Sequence, residues 1–356
     1  MKGETHMKKL ISLLLTLTLL AGCMPLAFAE SETRTFTDST GRTIELPAQI
    51  DRIAVSGALA KMIVFAIAPD QMVGVPTPWD AGELPFVPEK YRDMTAIGQL
   101  YGGKGEMNLE QLLASDPQVV IDVGEPKGTI KEDMDKLTQQ TGIPFIHIDA
   151  SLATLDQAYL MLGELLGMQE EASVLSAWCK ETYDRTVAIS ETVDKVSLLY
   201  ITGEKGLNVI GRNSYHSEVI DMLSDNRAVI ESPSSKGTGN EVDMEQLYMW
   251  DPAVILFSDC GVFDTVAADP AWQVMTAIAN DTYYEVPVGP HNWMGFPPSC
   301  QRLLGMMWMA KLLYPAACDY DLYTETARFY DLFYHWELTQ DEFNALTAGS
   351  IGKIHE

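Results

Sequence analysis

Residues 108–121 read Asn108-Leu109-Glu110-Gln111-Leu112-Leu113-Ala114-Ser115-Asp116-Pro117-Gln118-Val119-Val120-Ile121. Residues 243–256 read Asp243-Met244-Glu245-Gln246-Leu247-Tyr248-Met249-Trp250-Asp251-Pro252-Ala253-Val254-Ile255-Leu256. The two stretches align without a gap and share Glu-Gln-Leu and Asp-Pro. Each is a complete structural unit. Asn108 or Asp243 caps a helix, with Gln111 or Gln246 three residues on, as in a capping box. Asp-Pro ends the helix, because the residue before proline disfavours the helical region. An apolar run follows, Val119-Val120-Ile121 in the first copy and Ala253-Val254-Ile255-Leu256 in the second, as expected of a strand buried on both faces. The same helix–strand unit 135 residues apart is too widely spaced for a solenoid and implies two lobes of one architecture.

Reading outward from the first copy, Asp38-Ser39-Thr40-Gly41-Arg42 separates two β-prone stretches within 33–46 and predicts a hairpin. Arg52-Ile53-Ala54-Val55, a helical stretch Ala58–Ile67 and Met72-Val73-Gly74-Val75 predict a βαβ unit. Between the copies, Leu152–Val193 contains no proline. Its apolar residues recur at helical spacing, from Leu155, Ala158 and Tyr159 to Trp178, Cys179, Thr182 and Val187. Glu170–Thr192 lacks glycine as well and predicts one helix about 34 Å long. A second lobe begins at Val196-Ser197-Leu198-Leu199-Tyr200-Ile201. The tail carries Phe329, Tyr330, Leu332, Phe333 and Trp336 at helical spacing. The expectation is an α/β fold with two Rossmann-like lobes, 30–153 and 196–356, the second bearing a helical tail. A linker region, 154–195, contains the single long helix that joins them, and the ligand cleft lies between the lobes.

The chain has 356 residues, 47% of them apolar, with 50 acidic and 24 basic side chains and a formal net charge of −26. So acidic a chain has no excess of Lys/Arg to replace counterions on phosphates, so nucleic acid is not an expected partner. Lys8 and Lys9 followed by Leu10–Leu20 read as a secretory signal within residues 1–29. It is too short to span a membrane, which needs about 20 residues. Two exits follow. Leu20-Ala21-Gly22-Cys23 resembles a lipobox, which makes Cys23 the lipidation site and the only membrane anchor. Ala27-Phe28-Ala29 is an ordinary A-x-A cleavage site. Removing residues 1–29, with three lysines and one glutamate, deepens the net charge from −26 to −28. Cys179, Cys260, Cys300 and Cys318 are too few for a disulfide scaffold and show no C-x-x-C spacing. A Cys260–Cys300 bridge and four buried thiols both stay open.

No G-x-S-x-G elbow, H-E-x-x-H or P-loop occurs, and no pair of histidines has metal-ligand spacing. His147, His216 or His291 as a base on a secreted α/β enzyme is the competing reading. The informative segments are loops after strands, where open α/β sheets bind ligands. These are Ser56-Gly57, Pro76-Thr77-Pro78-Trp79-Asp80, the glycine-rich Gly98–Gly105 with Tyr101, Gly211–His216, and Pro290-His291-Asn292-Trp293-Met294-Gly295-Phe296-Pro297-Pro298. Trp79, Tyr101, Tyr215, Trp293 and Phe296 suit an aromatic cleft for a bulky solute. Arg212, Asn213, His291 and Asn292 suit a small oxyanion. Arg302 adds a second fixed positive charge. A bare metal site needs three or four converging ligands, which sequence does not locate.

The order of these elements resembles the solute-binding proteins of ABC importers, over about residues 33 to 336. These elements are the Asp38–Arg42 hairpin, the Arg52-Ile53 strand, two Glu-x-Leu…Asp-Pro units and a long central helix. The resemblance is to the branch that captures iron–siderophore complexes, haem, cobalamin and, in some members, molybdate or tungstate. It implies two α/β lobes, a rigid helix between them and little hinge motion. It implies no enzyme activity and no resident cofactor, since any metal belongs to the solute. It further implies a monomer, exported and lipid-anchored, that delivers an iron or other metal complex to a permease and its ATPase; a molybdate-type oxyanion is the alternative solute. Glu110 and Glu245 are then the glutamates that meet permease arginines, although a carboxylate in a first helical turn also complements the helix dipole.

Overall fold

The structure, a computed structural model, describes residues 32–101, 106–295 and 299–353. The proposed signal segment with Cys23, residues 102–105 of the glycine-rich loop, and Phe296 with the two prolines after it lie outside the described residues. Strands β1 (Thr33–Thr37) and β2 (Thr43–Pro47) pair as the antiparallel hairpin. Asp38 closes its turn by accepting from the Thr40 and Arg42 N–H groups and pairing with the Arg42 guanidinium at 2.6 Å.

The first lobe is built by β3 (Ile53–Val55), α1 (Ala58–Ile67), β4 (Met72–Val75), β5 (Thr95–Ala96), α2 (Leu109–Ala114), β6 (Val119–Gly124), α3 (Ile130–Thr141) and β7 (Phe145–Asp149). All five strands are parallel, in the order β5-β4-β3-β6-β7. Numbered among themselves they run 3-2-1-4-5, a Rossmann order without its sixth strand, and the order reverses between β3 and β6.

The chain crosses to the second lobe through α4 (Leu155–Leu166) and α5 (Gln169–Thr192). At 24 residues, α5 is about 36 Å long. Leu162, Leu165 and Leu166 of α4 and Ala172, Leu175 and Trp178 of α5 are buried. Gly163 lets the two helices close up, since a Cβ there would stand 2.4 Å from the Ala172 Cβ. The apolar register slips towards the end of α5, where Thr186 and Ile189 are buried and Val187 is only half-buried.

The second lobe comprises β8 (Ser197–Thr202), β9 (Asn208–Val209), α6 (Glu218–Leu223), β10 (Asp225–Asn226), β11 (Asn240–Glu241), α7 (Met244–Trp250), β12 (Val254–Phe257) and β13 (Tyr283–Glu285). Its sheet order is β11-β9-β8-β12-β13, with β10 beside β8. Strands β8, β10, β12 and β13 are parallel, whereas β9 and β11 are antiparallel additions. The parallel order reverses between β8 and β12. Helices α8 (Gln301–Leu313), α9 (Leu322–Tyr334) and α10 (Gln340–Leu346) follow.

The duplicated units fold alike. Asn108 accepts from the Glu110 and Gln111 N–H groups, and Asp243 from that of Gln246. Leu112 and Leu247 are fully buried at matching positions. Asp116 and Asp251 both end their helices at positive φ, 49° and 29°. The tail packs on the linker helices. Phe329 and Phe333 of α9 pack on Trp178 of the long helix, and Phe333 also on Tyr159. His335 just beyond α9 reaches the Phe65 carbonyl of α1 at 3.1 Å. The aromatic stripe of α9 is therefore matched on the linker helices α4 and α5, and the residue after it touches α1. Cys179, Cys260, Cys300 and Cys318 are all free thiols, and burial pushes that of Cys300 up to about 12. Among the described residues no helix is long and apolar enough to cross a membrane.

Candidate functional site

Ligands in open α/β sheets sit beyond the carboxyl ends of the strands, where the strand order reverses. In the second lobe that place holds a cavity of about 450 Å³. Tyr200, Thr202 and Glu204 reach it from β8 and its exit, and Ser258, Asp259 and Cys260 from the end of β12. His291 and Asn292 line a third side. Asp80 and Gly82, from the loop after β4, close it from the first lobe, so the cavity is interlobar. Asn292 is fixed by accepting from the Tyr200 hydroxyl at 3.3 Å and the Met294 N–H at 2.8 Å.

A second interlobar crevice is lined by Leu59 and Ile63 of α1, by Ala150, Ser151 and Leu152 after β7, and by Ser299, Cys300 and Arg302. Arg302, in the first turn of α8, is only 5% exposed. Its Nη1 lies 3.1 Å from Glu218 Oε2, and its guanidinium stacks over the Tyr215 ring at 5.1 Å. Its Nε has no hydrogen-bond partner among the described residues. Gly295, at φ 92°, makes the room: a Cβ there would fall 2.5 Å from the Arg302 side-chain carbons. Burial pushes the Glu218 carboxyl up; Arg302 opposes the shift and Glu125 adds to it. Burial pushes the adjacent His216 imidazole down, with Arg302 adding to the effect and a hydrogen bond to the Gly295 backbone opposing it.

At the first lobe's reversal point, Ser56 donates to Asp122 Oδ1, and Asp122 Oδ2 meets His147 Nδ1 at 2.8 Å. The carboxylate, not the imidazole, therefore holds the hydroxyl. That order is the wrong one for a base activating a serine. Ser56 also anchors the next loop through its carbonyl, which accepts from the Leu100 N–H. Tyr101 in that loop donates to Asp133 at 2.7 Å, and burial and this bond push its phenol up. Among the described residues no three His, Cys, Asp or Glu side chains converge as a metal site.

The structure thus brings His291 and Asn292 to the larger cavity, Tyr215 to Arg302, and Tyr101 to the carboxyl edge of the first sheet. Four expected ligand residues fall elsewhere. Trp79 is 5% exposed, wedged against Phe65 with its Nε1 donating to the Tyr91 carbonyl. Trp293 is fully buried and donates to the Gly289 carbonyl. Both indoles serve packing. Arg212 is committed to Asp225 and the Asn226 carbonyl, beside the amino end of β8 and away from the cavity at its carboxyl end. Asn213 sits in an exposed turn at φ 61°, where its N–H donates to Asp221.

Sequence reading left out Lys61, Glu83 and Tyr200. Lys61 Nζ lies 2.7 Å from Glu83 Oε1, and His291 Nε2 lies 3.2 Å from the same oxygen. Lys61 carried a legible signal, being the lone charge in the otherwise apolar Ala58–Ile67. Glu83 and Tyr200 carried none. Glu110 and Glu245 are both exposed, each in the first turn of its helix. Because α2 and α7 precede parallel strands, both helices start on the carboxyl side of their sheets, at equivalent places on the two lobes.

Comparison with known proteins gives a consistent picture. The sequence profile of the family described as periplasmic binding protein matches residues 54–288. The molybdate-binding protein MolA of Haemophilus influenzae is 25% identical over 360 residues, spanning 91% of this chain and 98% of that protein. An ABC transporter solute-binding protein from Sulfurospirillum deleyianum superposes with a TM-score of 0.79 at 26% identity, over 88% of this chain and 98% of the other. A periplasmic solute-binding protein from Veillonella parvula gives 0.75 at 26% identity, over 89% and 97%.

Proposed function

Because the chain belongs to the periplasmic binding protein family, we propose that it is the extracytoplasmic receptor of an ABC importer and that its solute is a metal-centred anion. The observation that carries this reading is Arg302. It is a cation 5% exposed between two lobes, in a chain of net charge −26. Burying a guanidinium is costly unless something anionic meets it. Among the described residues Glu218 is the one carboxylate paired with it, and a bound anion would complete the match. Tyr215 offers flat apolar surface beside that charge, which suits an iron or other metal complex with an organic shell. A bare oxyanion is the second reading, favoured by the relative named as molybdate-binding.

In this reading residues 30–153 and 196–356 supply the two lobes, and the 154–195 region holds them apart. The protein is exported, anchored through Cys23, and works as a monomer. Glu110 and Glu245 meet the permease, whose ATPase drives uptake of the released solute.

Native mass spectrometry of the ligand-free protein, offered molybdate, tungstate, a ferric siderophore, haem and cobalamin in turn, tests the solute. One anionic class should add its mass at near-stoichiometric ratio. Arg302→Gln should weaken that binding about 10- to 100-fold, the range for losing a charged hydrogen-bond donor. Equal binding by the variant, or uptake of simple cationic metal salts in place of either anion, would overturn the reading.

A further inference from the structure

Three ionisable side chains from two lobes meet at one buried point. Lys61 of α1 is 3% exposed, Glu83 of the loop after β4 2%, and His291 of the second lobe 9%. Glu83 Oε1 is approached by both nitrogens, Lys61 Nζ at 2.7 Å and His291 Nε2 at 3.2 Å, as close pairs without hydrogen-bond geometry. Its other oxygen accepts from the Asp80 N–H at 2.8 Å. Asp80 in turn accepts from the N–H groups of Gly82 and Glu83, so the loop is closed on itself. Lys61 Nζ also lies 4.3 Å over the Trp79 ring.

The opposite side is equally fixed. The His291 N–H donates to Gln301 Oε1, and Gln301 Nε2 donates back to the carbonyls of Gly289 and His291. The Gly289 carbonyl also accepts from Trp293 and from Tyr330 of α9. Tyr334 of the same helix donates to Gln301 Oε1. Both segments are therefore braced by their own surroundings, and Glu83 joins them.

The geometry points to Glu83 as an interlobe latch: a positioning residue that touches no solute but pins the cavity wall Pro290–Asn292 to the first lobe through His291. Buried ion pairs are poor stabilisers compared with apolar packing, and their best-attested role is to specify one arrangement over others. An apolar contact here would allow the lobes to slide. A single carboxylate shared by a lysine below and a histidine across the gap admits one register. The latch also explains why Lys61 stands alone in an apolar helix. Burial alone would raise the Glu83 carboxyl, but the contacts with His291, Lys61 and the Asp80 N–H outweigh it and hold it at about 2. The pin therefore stays anionic through the physiological range.

The inference rests on the interlobe space being the solute cleft only for its consequence, not for the latch itself. Amide hydrogen exchange on the ligand-free protein separates the two. His291→Asn keeps the Lys61–Glu83 pair inside the first lobe and removes only the limb that crosses. It should speed exchange in the first-lobe segment 79–84 by about 10-fold or more, while β3 and β6 stay as in the wild type. Glu83→Gln should do the same to segment 287–293. The double variant should open neither segment beyond the larger single effect, as expected for two ends of one contact. Should Glu83→Gln unfold the first lobe, exchange in β3 and β6 would report it, and His291→Asn alone decides. Exchange at 79–84 within about twofold of wild type in His291→Asn, or independent effects in the double variant, would overturn the latch.

Discussion

At the scale of single residues, the site depends on small groups making room for charged ones. Gly295 is the clearest case. Its φ of 92° and the Arg302 carbons 2.5 Å from any Cβ leave no space for a side chain. Gly295→Ala should therefore displace the guanidinium rather than simply strain the backbone. Positive φ costs a non-glycine residue about 1 kcal/mol, so the protein should still fold, with a thermal midpoint only a few degrees lower. Solute affinity should fall about as far as in Arg302→Gln, because both lose the same charge from the same place. Calorimetric titration alongside thermal unfolding would check this; a variant with wild-type affinity would show that Arg302 does not hold the solute. Tyr215 carries a complementary role, since its ring lies 5.1 Å from the guanidinium carbon.

At the scale of elements, the duplicated helix–strand unit places its charges with a symmetry no single residue shows. Glu110 and Glu245 are exposed one turn before apolar side chains that are also exposed: Leu113 at 51%, and Tyr248 and Met249 at 38% and 78%. Two like patches on two lobes suit a partner that is itself two-fold. Glu110→Arg with Glu245→Arg should abolish transport in cells while solute affinity stays within about twofold, because neither carboxylate lines the cavity or the crevice. Normal uptake by the double variant would sink the docking assignment. The same elements show what the sequence could reveal. Caps, Asp-Pro stops and apolar runs are local signals, so the hairpin, the βαβ unit, the 24-residue helix and both lobes were legible. The tail's destination was not, because an aromatic stripe at helical spacing says that α9 packs without saying on what. That Trp79, Trp293, Arg212 and Asn213 lie away from the cavity was not legible for a related reason. A loop after a strand carries residues that face the cleft and residues that face the core, and no periodicity tells them apart. Glu83 was missed because its partners lie 22 residues before it and 208 after it.

At the scale of the whole molecule, the shifted groups divide by pH, and their signs decide where the protein weakens. Glu83 is held down at about 2, and Asp38 is lowered by its bonds to Thr40 and Arg42 against the cost of burial. Both carboxylates contribute stability that is present above their ordinary values and is lost as pH falls towards the folded ones. Burial lowers His216 in the same sense, so its contribution is present above 6.5 and fades below it. Burial raises Glu218 and Glu285, the latter with help from Asp264 and Asp259. Their contribution runs the other way, present below 4.5 and lost as pH rises. Between neutrality and about pH 5 the histidine and the raised glutamates oppose each other, and the thermal midpoint should change little. Below about 4.5 the raised glutamates have no more to give, while Glu83 and Asp38 begin to lose their partners' attraction, so stability should fall steeply. The shift of Glu83 corresponds to about 3 kcal/mol at neutral pH. Glu83→Gln should therefore be clearly less stable than the wild type at pH 7, and the gap between their denaturation midpoints should narrow steadily from pH 4.5 towards 2. A gap that stays constant over that range would mean that the carboxylate's charge is not what joins the lobes, and that the buried contact works by shape alone.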